Sequence, residues 1–292
     1  MKRRLSTYSG FTLIELLVVI SIIAMLASVI LVSLQSVRDK GRIARALLFD
    51  NHNYQTFGAD SVFHYDFSEG AGVPTSIGSG QPSFSVAHCL PVYDASCADA
   101  YSSMGDTPAG YGYSYILNKT GSVQNHDSDP IVLTFNQPIL LTDKTVSAWI
   151  KPSATSPANS GMVVELTCSA ACGAGAAGQF GLKMYVDASM STSYYDQVYV
   201  GDGNIPFDIY SVHIPVNQWT LITISYNAST YTYLLFIDGV QQTNLLSGPG
   251  PTVHTLPYGG LVNTITIGDE YAPGYPFYGN VYNVAVYNKP LF

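Results

Sequence analysis

From Phe11 to Leu34 the chain runs for 24 residues in which Glu15 is the only charge and every other residue is apolar or a small hydroxyl residue. A helix of this length, at about 1.5 Å per residue, is roughly 36 Å long and crosses a hydrocarbon core of about 30 Å. Past Leu34 the apolar positions fall to spacings of three and four. Val37, Ala44, Leu47 and Leu48 interleave with Arg38, Lys40, Arg42 and Arg45. That pattern predicts one continuous helix over residues 11–50, its outer half laying an apolar stripe on a folded domain while the basic face stays solvated. Residues 51–60 read as a linker.

From residue 61 the period drops to two. Val62–Phe67, Ile131–Phe135, Thr145–Ile150, Trp219–Tyr226, Tyr231–Ile237, Thr264–Ile267 and Phe277–Tyr287 alternate in the manner of short strands. Asp238-Gly239, directly after Leu234–Ile237, is a two-residue hairpin signal. Stretches rich in Ser, Gly and Pro at 70–83, 152–161, 169–178 and 247–260 predict loops. Many strands, frequent breaks and no further helical pattern predict an all-β sandwich or jelly roll over 61–292.

Charge divides the chain. Basic Lys2, Arg3 and Arg4 precede the apolar run and favour keeping that end in the cytoplasm. A cleaved secretory signal shares the basic-then-apolar order, but its apolar region is usually about 7–15 residues, shorter than this one. Beyond Ala46 only five basic residues face eighteen acidic ones, a net of −13, so phosphate contacts with nucleic acid would be repulsive and no nucleic-acid partner is expected. The four cysteines form two close pairs, Cys89/Cys97 and Cys168/Cys172. In an exported domain these are disulfide candidates. Three connectivities exist and proximity favours 89–97 with 168–172. Zinc is disfavoured, since no C-x-x-C spacing occurs and only His88 lies near.

Gly10-Phe11-Thr12-Leu13-Ile14-Glu15 resembles the N-terminus of type IV prepilins and type II secretion pseudopilins. The resemblance covers about residues 4–35. It implies a leader, residues 1–10, that a prepilin peptidase removes after Gly10, with N-methylation of the new terminus Phe11. It also implies insertion of the precursor in a bacterial inner membrane with the C-terminal domain outside, then polymerisation by a pilus assembly machinery into a helical filament at the cell surface. Glu15 then gains a use. A lone carboxylate inside an apolar bundle is costly, and the Phe11 amine of a neighbouring copy would pair with it. Many major pilins carry a Pro in this segment and this chain has none between Phe11 and Gln35. The subunit is therefore either a major pilin or a minor or pseudopilin-like one.

A second resemblance covers about 61–292. Tyr65-Asp66-Phe67-Ser68-Glu69-Gly70 is similar to the opening of laminin-G-like, concanavalin A-like jelly-roll domains, and Thr145–Pro152 to their Trp strand. Trp219, Leu234–Gly239, Ile265–Gly268 and Gly279–Leu291 resemble later blocks in the same order. Tyr282, Asn283 and Ala285 depart from it, standing where relatives usually carry Asp, Glu and Arg. The resemblance implies a lectin-like domain for surface adhesion with an extracellular glycan as a possible partner, the alternatives being a secretion pseudopilin or a membrane-tethered lectin that does not assemble. Tyr194, Tyr195, Tyr210, Tyr271 and Tyr275 are the candidate sugar-stacking residues, expected in or near loops. Asp66, Glu69, Asp269 and Glu270 are candidate Ca2+ ligands, hard oxygen donors that the family's first and late strands bring close. Catalysis is not expected: glycosidases of related fold place two carboxylates on one strand face, whereas Glu165, Asp187, Asp196 and Asp202 are scattered and Asp269-Glu270 are adjacent.

Overall fold

A computed structural model of the chain describes residues 11–67, 84–88, 104–117, 130–153, 160–168, 179–187, 194–201, 208–247, 261–268 and 277–291. The chain divides into two compact units, Met1–Ala44 and Arg45–Phe292. Helix α1 spans Leu13–Phe57 and is followed by a 3-10 turn at Gly58–Asp60. In the first unit its apolar side chains lie open, from Leu13 at 82% exposed to Leu34 at 52%. The helix is long and apolar enough to cross a membrane.

Residues 51–57, expected as linker, continue the helix instead. Local propensity in His52-Asn53-Tyr54-Gln55-Thr56-Phe57 is weak, and packing overrides it. Asn53 is buried, the Tyr54 ring meets His64 at 5.2 Å and Phe57 meets Tyr287 at 6.3 Å.

The second unit is a two-sheet sandwich, as the strand pattern predicts. Its strands among the described residues are β1 (Ser61–Tyr65), β2 (Phe84–His88), β3 (Tyr115–Leu117), β4 (Ile131–Leu140), β5 (Lys144–Pro152), β6 (Ser160–Cys168), β7 (Gln179–Asp187), β8 (Tyr194–Gly201), β9 (Asp208–Pro215), β10 (Thr220–Asn227), β11 (Thr232–Ile237), β12 (Val240–Gln241), β13 (Leu245–Ser247), β14 (Leu261–Ile267) and β15 (Gly279–Tyr287). One sheet runs β1-β15-β5-β10-β11-β12 with β3 on β15, and the other runs β13-β9-β8-β7-β6-β14-β4-β2. All pairings are antiparallel. Alternate residues fill the core between the sheets: Val146, Ala148 and Ile150 of β5 and Ile222 and Ile224 of β10 on one side, Leu133, Leu166 and Ile265 on the other, all fully buried. Strands β6 to β9 go beyond the sequence expectation. Glu165 sits in the middle of β6 opposite Lys183 of β7, so the pair breaks the apolar alternation that would announce the strand.

The turn joining β11 to β12 has φ of 51° at Asp238 and 74° at Gly239. These values suit the two-residue hairpin turn that the sequence signals. Asp238 fixes it by donating its N–H to the Leu221 carbonyl and accepting the Leu221 N–H on Oδ1, both at 2.9 Å. A Cβ at position 239 would stand 2.8 Å from the Phe49 Cβ. Gly239→Ala is therefore expected to lower stability by about 1–3 kcal/mol, from left-handed backbone strain and displacement of Phe49. A chemical denaturation midpoint checks this.

Candidate functional site

At the start of α1, Thr12 and Glu15 cap the helix reciprocally. The Thr12 N–H and hydroxyl both donate to Glu15 Oε2, at 2.8 and 2.7 Å, while the Glu15 N–H donates to Thr12 Oγ1 at 3.3 Å. This is a capping box, which satisfies backbone donors that a helix start leaves open. The sequence carries its signal in the T-x-x-E spacing, and a carboxylate near a helix start is also favoured by the orphan N–H groups and the positive dipole end there. Both bonds fall on Oε2. A carboxylate offers about four acceptor positions, so Oε1 can accept another donor without breaking the cap. Gly10 lies outside the described residues, and Phe11 is 75% exposed.

The second unit's main polar constellation lies under the last turns of α1. Asp50, 6% exposed, accepts the Trp149 indole N–H at 2.8 Å and the Asn283 amide N–H at 2.7 Å through one oxygen, Oδ2. The Asn283 carbonyl oxygen contacts His64 Nε2. That nitrogen must be the protonated one, since Asn283 has turned its amide donors to Asp50. Burial pushes the Asp50 carboxyl above the usual aspartate range, opposed by the Trp149 and Asn283 hydrogen bonds and by His64. Asn283 has φ of 49° and lies where the β15–β5 register shifts, between Tyr282 and Ala285. An acidic side chain at position 283 would face Asp50, whereas the amide donates to it. The rest of the contact continues on both sides. Arg45 Nε donates to the Asp238 carbonyl at 2.9 Å and Phe49 stacks on Phe236 at 5.4 Å. The buried stripe is thus Ala46, Asp50 and Asn53 with the rings beside them, while Leu48, expected on it, is 71% exposed. Arg45, expected on the solvated face, is engaged.

The remaining sequence candidates scatter. Asp66 follows β1, is exposed, and accepts the Tyr282 hydroxyl. Glu69, Asp269 and Glu270 lie outside the described residues, among which no group of three or more His, Cys, Asp or Glu could hold a metal. Tyr194 and Tyr195 belong to β8 rather than a loop. Tyr210 is in β9 and only 5% exposed, since it alternates inward with Val212 and Ile214, and it is corrected as a sugar-stacking residue. Tyr271 and Tyr275 lie outside the described residues. Cys168, at the end of β6, is buried and disulfide-bonded, and Cys89, Cys97 and Cys172 are outside the described residues.

Comparison with known families places this geometry. Residues 125–292 match the family described as Laminin_G_3, the concanavalin A-like lectin/glucanases superfamily, which is more than half of the chain. The chain belongs to that superfamily. Residues 5–31 match the prokaryotic N-terminal methylation motif, so this superfamily member carries its domain behind a pilin-type segment. Among solved structures the chain is similar to domain 4 of AbnA, a GH43 extracellular arabinanase from Geobacillus stearothermophilus in complex with arabinotriose. That match has 16% identity and a TM-score of 0.47, covering 80% of this chain and 95% of that one. It is also similar to the heptameric SAP-like pentraxin of Limulus polyphemus, with 15% identity and a TM-score of 0.41, covering 58% and 74%. A third is the CBM40 of the Ruminococcus gnavus IT-sialidase bound to alpha2,3 sialyllactose, with 14% identity and a TM-score of 0.35, covering 52% and 79%. No curated protein matches the chain.

Proposed function

We propose that the mature chain is a subunit of a type IV pilus-like filament, with the lectin-superfamily domain forming the outer surface and serving adhesion to glycans. The observation that carries this reading is the Thr12–Glu15 cap at the head of a stretch that is otherwise uncharged as far as Leu34. A prepilin peptidase cutting after Gly10 frees an amine on Phe11. The open oxygen of Glu15 on a neighbouring copy then neutralises that amine while Oε2 keeps its own helix capped. The pairing sets the axial register, and the apolar side chains left open along Leu13–Leu34 become the packing surface between subunits. The acidic, tyrosine-rich domain suits an extracellular surface, an environment in which the two cysteine pairs can oxidise.

One observation admits a second reading. The helix is continuous from Leu13 to Phe57, with no Pro between Phe11 and Gln35. This suits a minor pilin or secretion pseudopilin as well as a major pilin, and long filaments built of this chain would separate them. The processing step is tested by mass spectrometry of the membrane-extracted protein from cells with and without the peptidase. An N-terminus at methylated Phe11 in the first and at Met1 in the second is expected; Met1 in both overturns the reading.

A further inference from the structure

Helix α1 covers the outer face of the β1–β15–β5–β10–β11–β12 sheet as far as Trp149. One pleat further along β5, Lys151 takes the same side, and Trp219, immediately before β10, stands beside it. The Lys151 Nζ lies 6.0 Å from the Trp219 ring centroid, and Tyr282 of β15 meets that indole edge-on at 6.4 Å. Asp106 holds Lys151 in an ion pair at 2.7 Å, and the Tyr282 hydroxyl donates to Asp66.

The segment that brings Asp106 here is a clamped loop. The Gly105 N–H donates to the Gly112 carbonyl at 2.8 Å and the Gly110 N–H to the Thr107 carbonyl at 3.1 Å. The Thr107 hydroxyl donates to the Tyr111 carbonyl at 2.7 Å and accepts the Tyr111 N–H at 3.2 Å. The φ of 88° at Gly105 and 76° at Gly110 lets the chain close this tightly. The result is a rigid mount for Tyr111, which is 65% exposed and near enough to Tyr282 to perturb its hydroxyl. An aromatic face held open on a locked loop loses little freedom when a ligand arrives.

Beside it lies a buried polar group. The Trp219 indole Nε1–H, in a side chain only 6% exposed, has no acceptor among the described residues. Lys151, on a flexible four-carbon stem, reaches over that ring. An aromatic platform, a paired cation and anion, a carboxylate with an ordered hydroxyl and a donor awaiting an oxygen match one ligand chemistry. A pyranose stacks its C–H face on a ring and meets donors and acceptors with its hydroxyls. Charge narrows the class. Asp106 already neutralises Lys151 and the region beyond Ala46 carries a net of −13, so an anionic sugar is repelled.

We propose that Tyr111, Asp106, Lys151, Trp219, Tyr282 and Asp66 form a binding site for a neutral, polyhydroxylated sugar ring. The proposal rests on the adhesion reading and gives it a place on the molecule, away from the tyrosines of β8 and β9. The chain contains two tryptophans, which provides the test. Trp149 is fully buried and fixed on Asp50, so a change of emission on binding reports Trp219. The detergent-solubilised full chain is titrated with neutral oligosaccharides ending in glucose, galactose, mannose or N-acetylglucosamine, and with sialyllactose as the anionic probe. A saturable emission change with at least one neutral sugar and none with sialyllactose is expected. Tyr111→Ala, at an exposed position, should weaken binding tenfold or more by calorimetry, and Trp219→Phe should abolish the optical change. Neutral-sugar binding that both variants leave unaltered overturns this site and spares the adhesion reading. Preference for sialyllactose overturns the assigned class, and no saturable sugar binding by the unaltered chain overturns both the site and glycan adhesion.

Discussion

Replacing Glu15 by Ala is expected to abolish filament assembly while leaving the protein in the membrane fraction. The substitution removes the only charge in the span, so insertion becomes easier. Two interactions disappear with it. Loss of the capping box costs about 1 kcal/mol at the helix start. Leaving a buried ammonium without its carboxylate costs about 3–5 kcal/mol at every subunit contact, and a polymer repeats that loss along its length. Thr12→Ala separates the two, because it removes the hydroxyl that bonds Oε2 and keeps the charge. It should slow or weaken assembly only modestly. The measurement is the amount of sheared, pelleted filament against membrane-bound subunit. Undiminished filaments from Glu15→Ala would refute the pairing.

Asp50→Ala is the second large effect, expected to lower the stability of the folded domain by about 2–5 kcal/mol, because the buried Trp149 and Asn283 donors each lose their acceptor. Asp50→Asn behaves differently. Its amide oxygen still accepts both bonds and no charge is buried, so stability at neutral pH should equal or exceed that of the unaltered chain. The pH dependence tells them apart. Burial raises the Asp50 carboxyl in the folded state, so the folded chain holds its proton to higher pH than the unfolded one. That contribution is fully present below the ordinary aspartate range and is lost as pH rises through the raised folded value. Thermal unfolding followed across this window should show a downward slope in the unaltered chain, with His64, Tyr54, Tyr282 and Tyr287 as neighbouring groups. The slope should flatten in Asp50→Asn. An equal slope in both would show that Asp50 does not titrate there.

What was legible in the sequence depended on whether apolar periodicity or polar pairing decided the structure. The span, the sandwich and the Asp238-Gly239 turn follow from periods and turn chemistry that hold regardless of context. The docking of α1 does not. Reading the helix for apolar residues at threes and fours selects Leu48, which is exposed, and passes over Asp50 and Asn53, which are buried. Asp50 belongs inside only because Trp149 and Asn283, on the left-handed backbone of β15, donate to it, and those partners lie about 100 or more positions away. Strands β6 and β7 are obscured by Glu165 and Lys183, which face each other across the ladder. Tyr210 shows the converse: its amphipathic ring suits a loop surface or a sheet interior, and neighbours in space decide.

The contacts of residues 45–57 run from the β11–β12 turn through β5 and β15 to β1, across most of one sheet. If the chain assembles as proposed, a pull delivered through the filament enters the sandwich at several strands at once. The load spreads over the interstrand ladders side by side, where they resist shear, instead of peeling the first strand from its neighbour. A tether of this kind can be dragged by flow and still present its surface intact.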